Sequence, residues 1–391
     1  MGSSKRTTEK VDALPITIPF NRPCFVGTEP GYMSEALEHR RISGDGIFTQ
    51  RCQELLERQL SILRVFLTTS CTHALEMTAL LLDLKPEDEV IVPAFTFVST
   101  ANAFALRGAR LVFADIRPDT LNLDEVHLES LITERTRAIV VVHYGGIACE
   151  MDSIMATASR HKIPVIEDNA HGLFAKYRGV YLGTFGALAT QSFHETKNFT
   201  CGEGGALLIN DSDLIERAEI IREKGTNRRR FLRGEVDKYT WVALGSSYLP
   251  SDILAAHLYA QLEARNEIQS RRKTIWDAYY DGLATWAEKH EFQRPHVPAG
   301  CEQGYHTFYL LAPNERERDA LIGLLRARGI SSVFHYSPLH RSEMGRRVAA
   351  RHTDCAVTES VSARLLRLPF YYSLSDEDQE RVIAAVQSHR S

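Results

Sequence analysis

Short apolar runs rich in β-branched residues alternate with helix-like segments through the first two thirds of the chain. The apolar runs predict strands over 89–93, 109–114, 137–143, 163–167, 187–193 and 205–209. Between several of these runs the pattern predicts helices over 72–82, 98–106 and 151–161. Buried strands separated by helices indicate an α/β fold with a mostly parallel sheet that is covered by helices on both faces.

The pattern changes towards the C-terminus. It predicts a helix over 211–224, a long ordered loop over 225–250, helical structure over 252–289, and then strand 305–311, helix 316–328, strand 331–335 and helix 354–366. We therefore expect a large domain over 17–265, followed by a linking helix and a smaller C-terminal α/β domain over 266–391. The polar residues 1–16 are predicted to be disordered.

Composition narrows the class of protein. The chain has 391 residues, of which 44% are hydrophobic and 25% charged, and its net charge is −4. These values are those of a soluble globular protein and give no reason to expect nucleic-acid binding. Seven scattered cysteines without a Cys-x-x-Cys pair argue against a disulfide framework or a metal site and favour the cytoplasm. No signal peptide and no membrane span are predicted.

Two polar residues at predicted strand ends point to pyridoxal phosphate. Asp168 directly follows one apolar run, and Lys197 follows the strand predicted over 187–193. Ligands of parallel sheets lie at the carboxyl ends of the strands. The cofactor needs a lysine amine to bond to its aldehyde carbon and a carboxylate to keep its ring nitrogen protonated. The alternatives are that Asp168 is a helix cap and Lys197 a surface lysine beside turn glycines.

Further residues fit parts of such a site. Thr72 and the backbone of His73 begin a predicted helix, whose free N–H groups suit a phosphate, although an ordinary cap explains them equally well. Phe97 follows a strand and could stack on the pyridine ring or belong to the core. His171 could hydrogen-bond the cofactor or be a satisfied helix histidine.

The basic run 227–233 includes Asn227 and Arg228. It could meet the diphosphate of a nucleotide substrate, or it could be a solvated charged face. No Gly-x-Gly-x-x-Gly follows the first strand, which argues against a nucleotide-binding dehydrogenase. A lysine aldolase without the cofactor and a non-catalytic regulator that binds it stay open as alternatives.

Taken together and in this order, the motifs resemble the DegT/DnrJ/EryC1/StrS sugar aminotransferase family of fold-type I pyridoxal phosphate enzymes. The matching motifs include Glu167-Asp-Asn-Ala-His171, Ser192-Phe-His-Glu-Thr-Lys197, Gly202-Glu-Gly-Gly205 and Phe334-His-Tyr-Ser-Pro338. The resemblance covers roughly residues 17–388.

That resemblance implies a large cofactor-binding domain, pyridoxamine phosphate as the intermediate form of the cofactor, and a homodimer with shared active sites. It implies that Lys197 carries the cofactor, and that Ser192 and Thr72 bind the cofactor's phosphate. Ser247 occupies the position at which many members place an asparagine of the neighbouring chain on that phosphate. Some relatives are dehydratases with histidine in place of the lysine, and Lys197 argues against that activity here.

Within the family, the chain is most similar to transaminases that make dTDP-4-amino-4,6-dideoxygalactose for surface polysaccharides. The motifs Gly44-Asp-Gly46, Cys149-Glu-Met-Asp152 and Gly245-Ser-Ser-Tyr248 support this similarity. It implies glutamate and dTDP-4-dehydro-6-deoxyglucose as substrates, with His335 as a candidate sugar contact. A glucose-configured product and amination at C3 stay open.

Overall fold

The structure is a computed structural model that describes residues 15–390. The segment 1–16, predicted to be disordered, therefore lies outside the described residues except for Pro15 and Ile16. The helices are α1 (Glu29–Glu38), α2 (Ile47–Leu60), α3 (Cys71–Leu81), α4 (Val98–Ala105), α5 (Leu128–Leu131), α6 (Met151–His161), α7 (Ile215–Arg222), α8 (Arg228–Leu232), α9 (Asp252–Glu263), α10 (Arg265–Gly282), α11 (Ala284–Lys289), α12 (Glu315–Ala327), α13 (Glu343–Val348), α14 (Ala356–Arg364) and α15 (Asp376–Gln387).

The strands fall into three sheets. They are β1 (Arg64–Thr68), β2 (Glu89–Pro93), β3 (Arg110–Ala114), β4 (Thr136–Val142), β5 (Val165–Asp168), β6 (Lys176–Tyr177), β7 (Val180–Tyr181), β8 (Leu188–Ser192), β9 (Gly205–Ile209), β10 (Cys301–Glu302), β11 (Tyr309–Leu311) and β12 (Leu365–Arg367). Short 3-10 turns cover Tyr144–Gly146, Ser212–Leu214 and Leu339–Arg341.

The large sheet has seven strands in the order β1-β9-β8-β5-β4-β2-β3. Every neighbouring pair is parallel except the two pairs made by β9, which runs antiparallel to β1 and to β8. Because β9 is antiparallel to both neighbours, β1 points the same way as β8. The carboxyl ends of six strands therefore share one edge of the sheet, as the mostly parallel pattern predicted.

A glycine brings helix α3 against this edge. Gly205, the first residue of β9, lies so close to the chain before α3 that a side-chain carbon on it would come within 2.6 Å of the Ser70 carbonyl oxygen. Ser70 caps α3, because its Oγ accepts a hydrogen bond of 3.1 Å from the N–H of His73. The close approach fixes where the start of α3 lies relative to β8 and β9.

A second apolar core lies between α10, α11, α12, α15 and the two-stranded sheet β11–β12. Trp276, Phe308, Leu321 and Val382 are buried in it. Ile18, near the start of the described chain, packs there too, and its N–H donates to the Gly329 carbonyl oxygen over 3.1 Å. Helix α10 begins next to the boundary that the sequence predicts, and the division into two domains at that boundary stays a prediction.

Several predicted elements of the C-terminal half were wrong. The predicted strand 331–335 makes only one isolated bridge, Val333 to Arg367, because β12 occupies the place beside β11. The predicted helix 354–366 ends at Arg364, and its apolar end pairs as β12 instead. The strand predicted over 305–311 is confined to β11. Tertiary pairing decides these cases, since a short apolar run suits a strand and a helix equally well.

Two other differences concern helices. The helical stretch predicted over 252–289 is divided into α9, α10 and α11, and the predicted loop 225–250 contains the short helix α8. The segment after Val333 returns to the large sheet, where the N–H of Leu339 donates to the Ala94 carbonyl oxygen over 3.0 Å. Among residues 15–390 no helix is long and apolar enough to cross a membrane.

Candidate active site

A cavity of about 370 Å³ opens at the carboxyl edge of the large sheet. One wall comes from the ends of β5 and β8 and the start of α3, and the opposite wall from segments near 306, 335 and 367. The predicted site residues that line it are Thr72, Phe97, Asp168, His171, Ser192, Lys197 and His335. Residues far apart in sequence thus meet where the parallel strands end.

Lys197 lies in the turn that follows β8, where its N–H donates to the His194 carbonyl oxygen over 2.9 Å. Withdrawal of the amine from water lowers its pKa to about 8, although the nearby Cys71 and Asp168 oppose this shift. A lysine with a lowered pKa has a larger neutral fraction near pH 7. Its amine is therefore available as a nucleophile and as a base.

Asp168 ends β5 and is buried. Its Oδ2 accepts a hydrogen bond of 2.7 Å from the Thr100 hydroxyl, and its Oδ1 accepts one of 3.2 Å from the N–H of Ala170. Within residues 15–390 it forms no ion pair, and burial raises its pKa. A cationic N–H group in the cavity would stabilise the ionised carboxylate, as a protonated pyridine ring does.

The start of α3 presents N–H groups that suit an anion. Its first amides, those of Cys71 and Thr72, have no acceptor inside the helix, and Thr72 donates its hydroxyl to Ser99 Oγ over 2.8 Å. Ser192, at the end of β8, also lines the cavity and is the sheet partner of Gly205, which approaches the chain just before α3. Cys71 also lines the cavity, and burial raises the pKa of its thiol, which keeps it protonated.

His73 takes no part in the lining of this cavity. Its N–H is used by the Ser70 cap, its Nδ1 contacts Thr69 Oγ1, and its ring packs against Tyr248 with centroids 5.2 Å apart. It therefore supports the geometry of the α3 terminus from outside the cavity. Its predicted contact with the cofactor stays a prediction.

His171 stacks face to face on His306, with ring centroids 4.0 Å apart and an interplanar angle of 15°. Burial lowers the pKa of both rings well below the usual value, so both are neutral. The Nδ1 of His171 accepts a bond of 3.3 Å from the Gly145 N–H, which leaves its proton on Nε2 as a donor. Nδ1 of His306 donates to Asn198 Oδ1 over 3.0 Å, beside Lys197.

Aromatic side chains close the outer wall. Phe97 is 55% exposed and reaches the cavity, whereas Phe95, two residues earlier, is buried in the core. The Tyr336 ring lies with its centroid 6.1 Å from that of Phe97. His335 stacks on Tyr336 at 5.6 Å, and its Nδ1 is 3.5 Å from Nη1 of Arg367.

Besides His73, three predicted residues lie outside the cavity of their own chain. Arg228 is paired with Glu223, and Asn227 Oδ1 accepts a hydrogen bond of 2.8 Å from the N–H of Thr240. Ser247 is exposed and forms an isolated bridge with Glu223. Their roles stay predictions, and each would require the cavity of a second chain.

Sequence reasoning missed Thr100, His306 and Arg367, which all line the cavity. Thr100 follows Thr96 by one helical turn, and that spacing was a usable signal. Arg367 is the one charge inside the apolar run 365–370, but the start of that run was predicted as the end of a helix. No local signal distinguishes His306, because its partners Asn198 and His171 are distant in sequence.

The family model of the DegT/DnrJ/EryC1/StrS aminotransferase family matches residues 25–387 of this chain. The chain belongs to this family. Its fold agrees, since the solved structure of the aminotransferase TlmJ from Streptoalloteichus hindustanus superimposes with a TM-score of 0.87 at 30% identity. That similarity covers 95% of this chain and 98% of TlmJ.

A curated relative of this aminotransferase is a GDP-perosamine synthase from Caulobacter vibrioides. It is 34% identical over 371 residues, which are 93% of this chain and 96% of the relative. The pyridoxal phosphate form of Spr1654 from Streptococcus pneumoniae, assigned as a sugar aminotransferase, has a TM-score of 0.87 at 26% identity, covering 95% of this chain and 98% of its own.

The chain is therefore an enzyme, a pyridoxal phosphate-dependent sugar aminotransferase with the fold-type I architecture, as the sequence predicted. The residues of the cavity fit the cofactor by their chemistry. They offer a lysine amine, a buried carboxylate without a cation, free amides at a helix start and aromatic faces.

Proposed function

We propose that this aminotransferase transfers the amino group of glutamate to C4 of dTDP-4-dehydro-6-deoxyglucose. The products are 2-oxoglutarate and dTDP-4-amino-4,6-dideoxygalactose, a precursor for surface polysaccharides. The observation that carries the proposal is the Lys197 amine, with its lowered pKa, in one cavity with the buried carboxylate of Asp168. A relative named for a GDP-linked amino sugar supports a nucleotide sugar as the acceptor.

When bound, pyridoxal phosphate carries the amino group between the two substrates and takes up the electrons of the broken C–H bond. Lys197 first holds the cofactor and then takes the proton from the donor's α-carbon on Nζ. The same atom returns a proton to C4 of the sugar in the second half of the reaction. Asp168 holds the proton on the ring nitrogen, because its buried carboxylate favours a neighbouring cation.

Binding and orientation fall to the other residues of the cavity. The amides at the start of α3, with Thr72 and Ser192, hold the phosphate, and the Phe97 ring lies against the pyridine face. His171 donates from Nε2 towards an oxygen of the cofactor. His335, beside Tyr336, contacts the sugar.

Completion of the site by a second chain is part of the proposal. Ser247, Asn227 and Arg228 lie outside their own cavity, in a segment that exposes large apolar side chains such as Trp241. A homodimer would cover these side chains and bring Ser247 to the partner's phosphate site and the basic segment to the nucleotide diphosphate. We expect the dimer to act in the cytoplasm, in keeping with its seven free cysteines.

Proton NMR of the sugar product tests the proposal. We expect the cofactor-loaded protein, given glutamate and dTDP-4-dehydro-6-deoxyglucose, to form a 4-amino sugar with a small H3–H4 coupling, which marks an axial amine. A large coupling would identify a glucose-configured product, and a signal for an amine at C3 would move the reaction by one carbon. If product formed only from a GDP-linked keto-sugar, the nucleotide of the proposed substrate would be GDP and not dTDP.

The matched control is Lys197→Ala. It removes the amine and leaves the rest of the cavity in place, so we expect cofactor binding without turnover. Turnover near that of the unchanged enzyme would overturn the assignment of Lys197.

A further inference from the structure

Arg367 is a buried cation that faces the cavity without a counter-ion. The residue ends β12, is only 5% exposed and lines the same cavity as Lys197. No carboxylate of residues 15–390 lies within ion-pair distance of its guanidinium. The buried Arg222, by contrast, pairs with Asp45 at 2.8 Å. Burying an unpaired charge is costly, so a buried arginine normally has an anionic partner.

Side chains of residues 15–390 use only some of the N–H donors of the Arg367 guanidinium. Nε and Nη2 donate to the Tyr144 hydroxyl over 3.3 and 3.0 Å, and Nη1 lies 3.5 Å from His335 Nδ1. A phenol and a neutral imidazole orient the guanidinium, but they do not neutralise it. The Tyr336 side chain also hydrogen-bonds the guanidinium. A guanidinium has five N–H donors, so these contacts still leave one for a ligand in the cavity.

A second buried arginine shows what a purely structural role looks like. Arg272 donates to the carbonyl oxygens of Tyr305 and His306 over 2.9 and 2.7 Å, packs over Phe370 and stays outside the cavity lining. Its hydrogen bonds tie two elements together. The Arg367 guanidinium donates to the Tyr144 hydroxyl instead, and its side chain lines the cavity, which that of Arg272 does not.

The surroundings of Arg367 select the shape of the anion. Its guanidinium carbon lies over the rings of Tyr144 and Tyr336 at 5.4 and 5.1 Å. The buried Tyr144 ring and the Tyr336 ring lie against the guanidinium, so a ligand in the cavity would meet its remaining edge. A planar carboxylate fits a guanidinium fork with two parallel hydrogen bonds. A diphosphate is bulkier and must stay joined to a nucleoside that projects out of the cavity.

We propose that Arg367 binds the α-carboxylate of the amino-acid donor and so distinguishes the donor from the keto-sugar within a shared cavity. The inference rests on the proposed function only in requiring an amino-acid donor. It holds whichever keto-sugar accepts the amine. The keto-sugar has no carboxylate, so its half of the reaction depends much less on the Arg367 charge.

Equilibrium binding of glutarate, a dicarboxylate without an amine, gives a readout separate from turnover. We expect calorimetry on the cofactor-loaded protein to show affinity about 10- to 100-fold weaker in Arg367→Gln, partly restored in Arg367→Lys. Arg318→Gln is the control, since Arg318 is a buried arginine of the same C-terminal half paired with Glu315 and Asp319. Equal glutarate affinity in Arg367→Gln and the unchanged protein would overturn the proposal.

The glutamate half-reaction separates the two proposals, because it is followed by the cofactor's absorbance with no sugar present. In Arg367→Gln we expect the half-saturating glutamate concentration to rise about 10- to 100-fold. The reaction with butylamine, an amine without a carboxylate, should be unchanged. An equal loss with both amines would show general damage to the cavity and overturn the inference. Failure of the sugar test alone would leave it intact.

Discussion

The amine of Lys197 is both buried and close to a carboxylate, and these two surroundings shift its pKa in opposite directions. Loss of water lowers the pKa of the amine to about 8 and outweighs the opposing charge of the nearby Asp168 carboxylate. Only the neutral amine can bond to the aldehyde of the cofactor. The charge state of this one residue therefore sets the pH at which the protein takes up its cofactor.

We predict that uptake of pyridoxal phosphate by the cofactor-free protein speeds up about tenfold per pH unit below pH 8 and levels off above it. The lowered pKa places the change between pH 7 and 9, well below the range of an ordinary lysine. Stopped-flow absorbance across pH 6 to 10 measures it. A midpoint near pH 10 would contradict the lowered pKa, and Lys197→Arg should show no covalent uptake at any pH.

The hydrogen bond from Thr100 stabilises the ionised form of the Asp168 carboxylate. The Thr100 hydroxyl donates over 2.7 Å to Oδ2, and it accepts in turn from Thr96 at 2.9 Å. Thr100→Val keeps the shape and removes the donor, so the pKa of Asp168 should rise further and the ring nitrogen lose part of its counter-ion. We expect cofactor affinity to fall about 10-fold, measured by fluorescence titration.

Thr78→Val is the matched control for that change. Thr78 is also a buried helical threonine, but its hydroxyl bonds only within α3, to the Leu75 carbonyl oxygen. Its loss should leave the affinity for the cofactor unchanged. Comparable effects of the two variants would assign the loss to general destabilisation and not to Asp168.

The residue-level chemistry could be predicted where it sat at the end of a regular strand. Asp168, Ser192 and Lys197 are marked by the apolar runs before them, so their meeting followed from the parallel sheet. Arg367 and His306 come from segments whose elements were predicted wrongly or only in part. The residues next to them in sequence do not indicate which distant residues they contact in the fold.

At the scale of elements, the contact between the start of α3 and the start of β9 determines the anion site. A methyl group on Gly205 would collide with backbone atoms of Ser70, which cannot move without shifting the helix. We expect Gly205→Ala to lower the free energy of unfolding by about 1–3 kcal/mol. Because the helix start would move, affinity for the cofactor should fall at least 10-fold, measured by calorimetry.

Gly323→Ala provides the comparison. Gly323 lies inside α12, and an added side-chain carbon there meets nothing within 4 Å. Replacing a helical glycine should stabilise the protein by about 0.5–1 kcal/mol and leave the cofactor in place. If Gly205→Ala behaved in the same way, the close approach would not matter for the anion site.

Most element boundaries between residues 71 and 209 could be predicted, whereas α1, α2 and β1 were not predicted and the C-terminal elements were predicted less well. Strands such as β2 and β9 are buried along their whole length, so their apolar runs are unmistakable. In β11 and β12 the paired stretches are three residues long, too short for a period to show. That sheet forms because residues 309–311 pair with the distant residues 365–367, and not because of the local preference of either segment.

At the scale of the whole molecule, the segment after α8 exposes apolar side chains that one chain does not cover. Trp241 is 72% exposed, and Leu232 and Leu244 lie in the same segment. If a second chain covers them, Trp241→Ser should shift the protein towards monomer in analytical ultracentrifugation. Cofactor affinity should weaken in parallel, since Ser247 would no longer reach the partner's phosphate site.

Val126→Ser tests whether any exposed apolar residue would have this effect. Val126 is 75% exposed but belongs to the segment before α5. We expect it to leave the oligomeric state unchanged. A Trp241→Ser protein that stays dimeric with full affinity would place the interface elsewhere.

The sheet order also dictates a sequence of events in time. Strand β1 pairs only with β9, so residues 64–68 must wait for residues 205–209 before their edge of the sheet exists. During synthesis, Lys197 leaves the ribosome before β9 does, so the contact between Gly205 and the start of α3 cannot yet exist. A nascent chain therefore carries the Lys197 amine before the helix start is in its final position to bind a phosphate. We expect bound cofactor to stabilise only the chain that has closed its sheet.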